Sequence, residues 1–138
     1  LIKKTNNSKI KYDLCIHFRG GDFIKFDYQL DSEYYKSAIN LLRLKIDVSF
    51  LNVVIVTNDV KYAKNQLKNM DFDTPYEVIS GNAVDDINVM MSSKHLIVSN
   101  STFALMAAIE RKNKGITILP KVFFDKFCVE PDDSIFFL

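Results

Sequence analysis

Two polar segments of the sequence combine side chains that could bind a phosphate group. The first is the HFRGGD segment at 17–22, in which Arg19 and a glycine pair follow an apolar run. An arginine fork can donate two hydrogen bonds to phosphate oxygens, and glycine lets the backbone approach a ligand closely. The second is the SNSTF segment at 99–103, which places hydroxyl and amide side chains before an apolar helix. The N–H groups and positive dipole end of a helix attract anions.

Each of these segments also has an ordinary structural interpretation. Arg19 could be a solvated side chain in a turn, and the serine and threonine residues of 99–103 could simply cap a helix. His17 alternates with apolar neighbours along a strand, and a single histidine of this kind is more often structural than catalytic. Asp85 and Asp86 favour a helix start, although a carboxylate beside a nucleotide could bind its ribose or base edge. The TND segment at 57–59 likewise predicts a loop and a helix cap.

The elements that must position these segments alternate between strand and helix. Hydrophobic patterning predicts five strands, at 14–18, 53–56, 77–79, 96–98 and 116–119. It predicts four intervening helices: 32–45 capped by Ser32, one ending near 69, one opening at Asp85, and 103–111. Because residues 103–109 of the last helix are apolar on every side, we expect this helix to be largely buried. This order indicates an α/β fold, a parallel sheet with helices on both faces and ligand sites beyond the carboxyl ends of its strands.

Composition narrows the class of protein further. The chain has 138 residues, enough for one domain, and 48% of them are hydrophobic. With 18 basic and 17 acidic residues, its net charge of +1 gives no reason to expect a nucleic acid partner. Cys15 and Cys128 are far apart, which favours free thiols in a reducing compartment. We find no run long enough to span a membrane, no dinucleotide or P-loop glycine motif, and too few histidines for a convincing metal site.

Taken in order, the motifs resemble those of the α-1,2-fucosyltransferases, the family 11 type of glycosyltransferase. That family has H-x-R-R-G-D where this chain has HFRGGD, so Arg19 is kept and Gly20 replaces the second arginine. Its F-S-D-D-like strand end is similar to VTND at 56–59, and its D-L-x-L-M-S-x-C-K-H to DINVMMSSKH at 86–95. Its N-S-T/S-F-S-W-W is similar to NSTFALM at 100–106, in which the last three residues differ.

The resemblance implies an enzyme of the GT-B architecture, with two Rossmann-like domains facing a cleft. It implies a GDP-fucose donor, a glycan acceptor, inversion at the anomeric carbon and no metal or other cofactor. Residues 1–138 would be a single C-terminal, donor-binding Rossmann-like domain, and the N-terminal acceptor-side domain would be missing from this sequence. We expect the protein in the cytoplasm, either free or at the cytoplasmic face of the membrane.

The resemblance also implies roles for particular residues. Arg19 would hold the donor's pyrophosphate and stabilise the departing GDP. The nucleotide pocket would be lined from the helix start and supported by two further motif positions: Asn100, Ser101, Thr102 and Phe103, with His17 and Asp86. Asp22 and Asp27 are candidates for the general base, which could instead lie in the missing half.

Two alternatives remain open at this stage. The lost arginine and tryptophan pair favour a non-catalytic module that binds a nucleotide or phosphate. Changes in the pocket could also select another nucleotide sugar.

Overall fold

A six-stranded parallel sheet forms the centre of the protein. The computed structural model describes residues 12–111, 115–127 and 133–138. In chain order the strands are β1 (Leu14–Phe18), β2 (Val53–Thr57), β3 (Tyr76–Ile79), β4 (His95–Ile97), β5 (Thr117–Leu119) and β6 (Ile135–Phe137). They lie in the order β3-β2-β1-β4-β5-β6, and every neighbouring pair is parallel. The α/β class is confirmed, and all five predicted strands form within one or two residues of their expected bounds.

The sheet has one strand more than the five predicted. The extra strand, β6, pairs with β5 through Ile135, Phe136 and Phe137 at the edge of the sheet. All three of its residues are only partly buried. Three apolar residues near a chain end carry little strand signal by themselves, and the partner strand supplies the missing hydrogen bonds.

Six helices of the described residues connect these strands. They are α1 (Asp22–Lys25), α2 (Ser32–Lys45), α3 (Val60–Asn69), α4 (Ala83–Ser92), α5 (Thr102–Glu110) and α6 (Lys121–Phe127). The predicted caps are wrong at two helices. Asp31 rather than Ser32 caps α2, and α4 begins two residues before Asp85 with Asn82 as its cap. Aspartate and asparagine are strong caps whose side-chain oxygen accepts an amide one turn ahead, which explains both shifts.

The helices divide between the two faces of the sheet. On one face α2 and α3 pack against Leu14, Ile16 and Phe18 of β1. On the other face α4 and α5 pack against Cys15 and the alternate residues of β2. Both β1 and β2 are buried along their whole length, as expected of central parallel strands with near-continuous apolar sequence.

Burial of α5 is less complete than its composition predicts. Ala104, Leu105 and Ala107 are buried, but Met106 and Ile109 are 49% and 59% exposed. An outer helix covers the sheet with one face only, so an apolar residue on its other face stays in solvent.

The cysteine and membrane expectations can be examined in the described part of the chain. Cys15 is a fully buried free thiol whose pKa is raised by burial, and Cys128 lies outside the described residues. Within the described ranges, no helix is both long and apolar enough to cross a membrane.

A partly buried arginine joins the amino ends of β4 and β5. Arg111, just after α5, donates to the carbonyl oxygens of Ser93 and Lys94 at 2.8 and 2.5 Å, and also to Thr117. Burial lowers the pKa of its guanidinium to about 10. Gly115 completes this junction, since a Cβ atom there would lie 1.8 Å from the Lys94 carbonyl oxygen.

We predict that Gly115→Ala destabilises the fold by about 3 kcal/mol or more, because backbone must move to admit the methyl group. Gly81→Ala is the matched control, since its Cβ would lie at an ordinary 3.5 Å from Asp86. Urea unfolding of both variants measures the difference. Equal stabilities would show that the junction is looser than described.

Candidate functional site

The carboxyl ends of β1 and β4 define a crevice. These strands are neighbours in the sheet, but the chain leaves them toward opposite faces, through α2 after β1 and through α5 after β4. Ligands of open α/β sheets bind at such a reversal of strand order. The loop after β1 carries Arg19, Gly20 and Gly21, and the loop after β4 runs from Val98 to Ser101. Both segments singled out in the sequence therefore flank the same crevice.

His17 connects the two walls of this crevice. Its Nδ1 lies 2.8 Å from the hydroxyl oxygen of Ser99, and that oxygen also accepts from the backbone N–H of Ser101 at 3.3 Å. The ring is 3% exposed, and burial, with a smaller effect from Arg19, lowers its pKa to about 3. A neutral ring that accepts from the Ser99 hydroxyl satisfies all of these contacts. His17 thus stays uncharged at neutral pH and positions the loop that leads into α5.

The glycine pair packs against the loop after β2. The Gly20 N–H donates to the Asn58 side-chain oxygen at 2.9 Å, and the Gly21 N–H donates to Asp59 Oδ2 at 2.9 Å. Asp59 also caps α3 through its other oxygen, which accepts from the Tyr62 N–H at 3.1 Å. The expected cap is confirmed, and the same side chain has a second function that the sequence did not predict. The two amides are therefore already paired, and they do not face a ligand as their glycine identity suggested.

Position 20 has no room for a side chain. A Cβ atom on Gly20 would come within 2.8 Å of both Asp59 Cβ and Tyr62 Cδ1. Gly21 adopts a φ of +58°, a conformation that favours glycine. The loop thus offers one arginine to the crevice, and its geometry excludes a second one at position 20.

Arg19 lies at the mouth of the crevice. Its side chain is 30% exposed and forms a 3.1 Å ion pair with Asp22, the first residue of α1. The guanidinium carbon lies 5.0 Å above the ring of Phe23, which holds the side chain against α1. Its Nε is buried and has no hydrogen-bond partner among the described residues. The guanidinium is therefore held in place with part of its donor capacity unused.

The start of α5 differs from the starts of α2, α3 and α4. In those three helices the capping side chain accepts a hydrogen bond from an amide of the first turn. Ser101 occupies the same position in α5 and makes no such bond, so simple side-chain capping is not what this segment does. Beside it, Asn100 donates to the Tyr28 carbonyl at 2.7 Å, while its side-chain oxygen is buried without a partner in the described structure. Phe103 packs near His17, with ring centroids 6.2 Å apart, and Thr102 is exposed.

The structure does not place Asp86 in contact with this cluster. Its carboxylate accepts from the Gly81 N–H at 3.3 Å, within the turn that leads from β3 into α4. Burial raises the pKa of this carboxyl, the hydrogen bond from Gly81 opposes that shift, and the nearby charge of Asp85 adds to it.

Asp27 is, with Asp22, one of the two candidates for the general base. It follows α1 with a φ of +58° and lies on the segment between α1 and α2.

Tyrosine hydroxyls that the sequence did not mark fix the strand ends at the crevice. Tyr34 donates to the carbonyl of Val98 at 2.5 Å, and Tyr35 donates to the carbonyl of His17 at 2.9 Å. Both come from α2, and Tyr35 is also one of the buried residues of that helix. No local pattern reveals which carbonyl a tyrosine will reach, because the two are far apart in sequence.

The fold and the crevice together define a doubly wound, Rossmann-like domain with a polar site at its point of strand reversal. The model of glycosyl transferase family 11 matches residues 3–136, nearly the whole sequence. The chain therefore belongs to glycosyl transferase family 11. Among curated proteins, none matches the sequence significantly. Within the described ranges, no group of three or more His, Cys, Asp or Glu residues could hold a metal ion.

We predict that His17 makes folding sensitive to mild acid. Because its pKa is lower in the folded protein than the ordinary value near 6.5, the unfolded chain binds the proton first. Stability should therefore fall as the pH drops below about 6.5, by about 1.4 kcal/mol per pH unit. Urea unfolding between about pH 7.5 and pH 5.5 should show a shallower loss for His17→Gln than for the natural sequence. His95, whose pKa is also lowered, contributes equally to the pH dependence of stability in both proteins. Identical pH slopes would therefore contradict the conclusion that His17 is buried in its neutral form.

Proposed function

We propose that this domain binds the donor of an inverting fucosyltransferase, and that the donor is GDP-fucose. The observation that carries the proposal is the convergence of two family motifs, HFRGGD and NSTF, on one crevice between β1 and β4. Transfer to a glycan hydroxyl would complete the reaction, with a second, N-terminal domain of a GT-B enzyme facing this one. Family membership supports a glycosyltransferase, and the motifs in the crevice support the narrower assignment.

Arg19 is the group best placed to bind the donor's pyrophosphate. Its guanidinium already bonds an anion, the Asp22 carboxylate, and an incoming phosphate would compete for the same donors. Exchange of Asp22 for phosphate would place positive charge beside the bond that breaks, and so stabilise the departing GDP. It would also release Asp22, which is 58% exposed, as a carboxylate next to the reacting centre. Asp22 could then accept the proton of the acceptor hydroxyl.

The start of α5 is proposed as the second phosphate contact. Its dipole favours an anion, and Ser101 leaves the first turn without a side-chain cap. Asn100, Thr102 and Phe103 would line the nucleotide pocket around it, and His17 would support that pocket through Ser99. Asp86 is proposed as a ligand of the nucleotide on the family motif alone. With an arginine and a helix start toward the phosphates, the site would need no metal ion.

A non-catalytic nucleotide-binding module is the second candidate. The specific observation in its favour is Gly20, whose position excludes the second arginine of the family motif. One cation instead of two would hold a nucleotide but stabilise less charge on a leaving group. Transfer of labelled fucose from GDP-fucose by the longer protein would separate enzyme from binding module.

We predict that GDP stabilises the chain more than UDP or ADP does, and that the effect persists in EDTA. A ligand at one hundred times its dissociation constant adds about 2.7 kcal/mol, which thermal melting detects readily. Greater stabilisation by UDP would rule out the GDP-fucose assignment and leave the fold assignment intact. Strict dependence on magnesium or manganese would rule out the metal-free site.

We predict that Arg19→Ala weakens GDP binding about ten- to a hundredfold, because one charge-assisted contact to phosphate is lost. Arg19→Lys should restore only part of the affinity, since an ammonium lacks the planar fork. Arg43→Ala is the matched control: Arg43 also pairs with an aspartate, Asp73 at 3.8 Å, but lies in the last turn of α2.

Calorimetry gives the GDP affinity of the three variants and melting gives their stability. Unchanged affinity in Arg19→Ala would contradict the site. A large loss of stability in that ligand-free variant would instead make Arg19 structural, through its ion pair with Asp22.

A further inference from the structure

The hydrogen-bond ladder between β4 and β5 stops at a proline. Leu96 donates its N–H to the Ile116 carbonyl at 3.0 Å, and Val98 does the same to the Ile118 carbonyl, also at 3.0 Å. In a parallel ladder of this register the next donor would be the N–H of residue 120, and its acceptor would be the Val98 carbonyl. Residue 120 is Pro120, which has no N–H to donate. The Val98 carbonyl therefore needs another donor.

The hydroxyl group of Tyr34 supplies that donor. It lies 2.5 Å from the Val98 carbonyl oxygen and 3.3 Å from the Ile118 carbonyl oxygen, so it occupies the place where the ladder would continue. Tyr34 and Pro120 also line the same cavity, which places the tyrosine beside the proline. Burial raises the pKa of Tyr34, so its hydroxyl keeps the proton at neutral pH and can donate it to a hydrogen bond.

Tyr34 is itself held in place by the first turn of α2. Its backbone N–H donates to the capping Asp31 at 3.3 Å, and its ring packs edge-on against Tyr35 with the centroids 4.9 Å apart. The hydroxyl of Tyr35 in turn donates to the His17 carbonyl at the end of β1. The first turn of α2 is thus bonded to the ends of both strands that flank the crevice.

The carbonyl that Tyr34 holds belongs to the loop that leads into α5. Within this loop, Ser99 bonds His17 at 2.8 Å and accepts from the Ser101 N–H at 3.3 Å. Ser101 makes no side-chain cap, so the backbone of the loop, and not a capping side chain, sets the direction of the first turn of α5. A shift at Val98 would therefore move the N–H groups that are proposed to bind phosphate.

We propose that Tyr34 is a positioning residue for the donor site: its hydroxyl replaces the N–H that Pro120 cannot provide, and so fixes the loop from Val98 to Ser101. Tyr34 acts through that loop and not by contact with the donor. The effect on a nucleotide rests on the proposed function, whereas the replacement of the missing N–H rests on the contacts alone.

Four forms of the full chain test the replacement: the natural sequence, Tyr34→Phe, Pro120→Ala and the double variant. Tyr34→Phe should weaken GDP binding about tenfold in calorimetry, because the Val98 carbonyl loses its donor and the loop is released. Pro120→Ala introduces an N–H at position 120, so Tyr34→Phe should cost little affinity in that background. An equal loss in both backgrounds would overturn the proposal, as would no loss in either.

Tyr12→Phe is the matched control. Tyr12 is 2% exposed and its hydroxyl also donates a hydrogen bond, to Glu77 at 2.5 Å, but it precedes β1 at the amino edge of the sheet. GDP affinity should be unchanged in this variant, even where its ligand-free melting temperature falls as far as that of Tyr34→Phe. An equal loss of GDP affinity in the two variants would mean that affinity follows stability alone, and the positioning role would be wrong.

Amide hydrogen exchange in the ligand-free protein separates this proposal from the donor assignment. The N–H groups of Val98 and Ser101 should exchange roughly tenfold faster in Tyr34→Phe than in the natural sequence or the double variant. If GDP binds none of the proteins but exchange responds in this way, the donor assignment fails and the replacement stands. If GDP binds but Tyr34→Phe leaves exchange at both amides unchanged, the replacement fails and the donor assignment stands.

Discussion

The reversal of strand order between β1 and β4 is the constraint on which this molecule depends. Crossovers between parallel strands are right-handed, so a chain that builds β3-β2-β1 in one direction and β4-β5-β6 in the other must send its helices to opposite faces. The two loops that leave β1 and β4 therefore diverge and leave a gap, the crevice, between them. The polar backbone groups of the two loops, the start of α5 and the tyrosine hydroxyls of α2 are all arranged around that gap.

The charged side chains around this gap are few, and each already has a partner. Arg19 is the cation of the β1 loop, and it is already paired with Asp22. The carboxylate of Asp59 accepts hydrogen bonds from the Gly21 N–H and from the first turn of α3, so its negative charge is stabilised by backbone amides. His17 contributes no charge at neutral pH. An anion that enters meets a guanidinium with one N–H group bonded to Asp22 and an Nε that has no partner among the described residues.

Sequence patterns identify the sheet well because its central strands are fully buried and largely apolar. β2 reads as a continuous apolar run, and each of the four longer helices has an apolar face or a polar start. The patterns fail where one element depends on a distant one. β6 exists because β5 offers it a hydrogen-bonding edge, and the exposed side of α5 follows from its outer position.

The candidate site divides in the same way, into residues that sequence patterns identify and contacts that depend on distant parts of the chain. Arg19 and the 99–103 segment are recognisable because their residue types suit phosphate at a strand end. The partners of Gly20 and Gly21 are not recognisable from the sequence. Asn58 and Asp59 lie 38 residues away from them and look like ordinary helix-capping residues.

The packing around Gly20 has a genetic consequence. Since Asp59 and Tyr62 occupy the volume that a side chain at position 20 would need, a mutation that introduced arginine there would be harmful in this background. It would become tolerable only after Asp59 and Tyr62 had been replaced by smaller residues or had moved. Positions 20, 59 and 62 should therefore evolve together, so that an arginine at position 20 is expected only where smaller residues stand at positions 59 and 62.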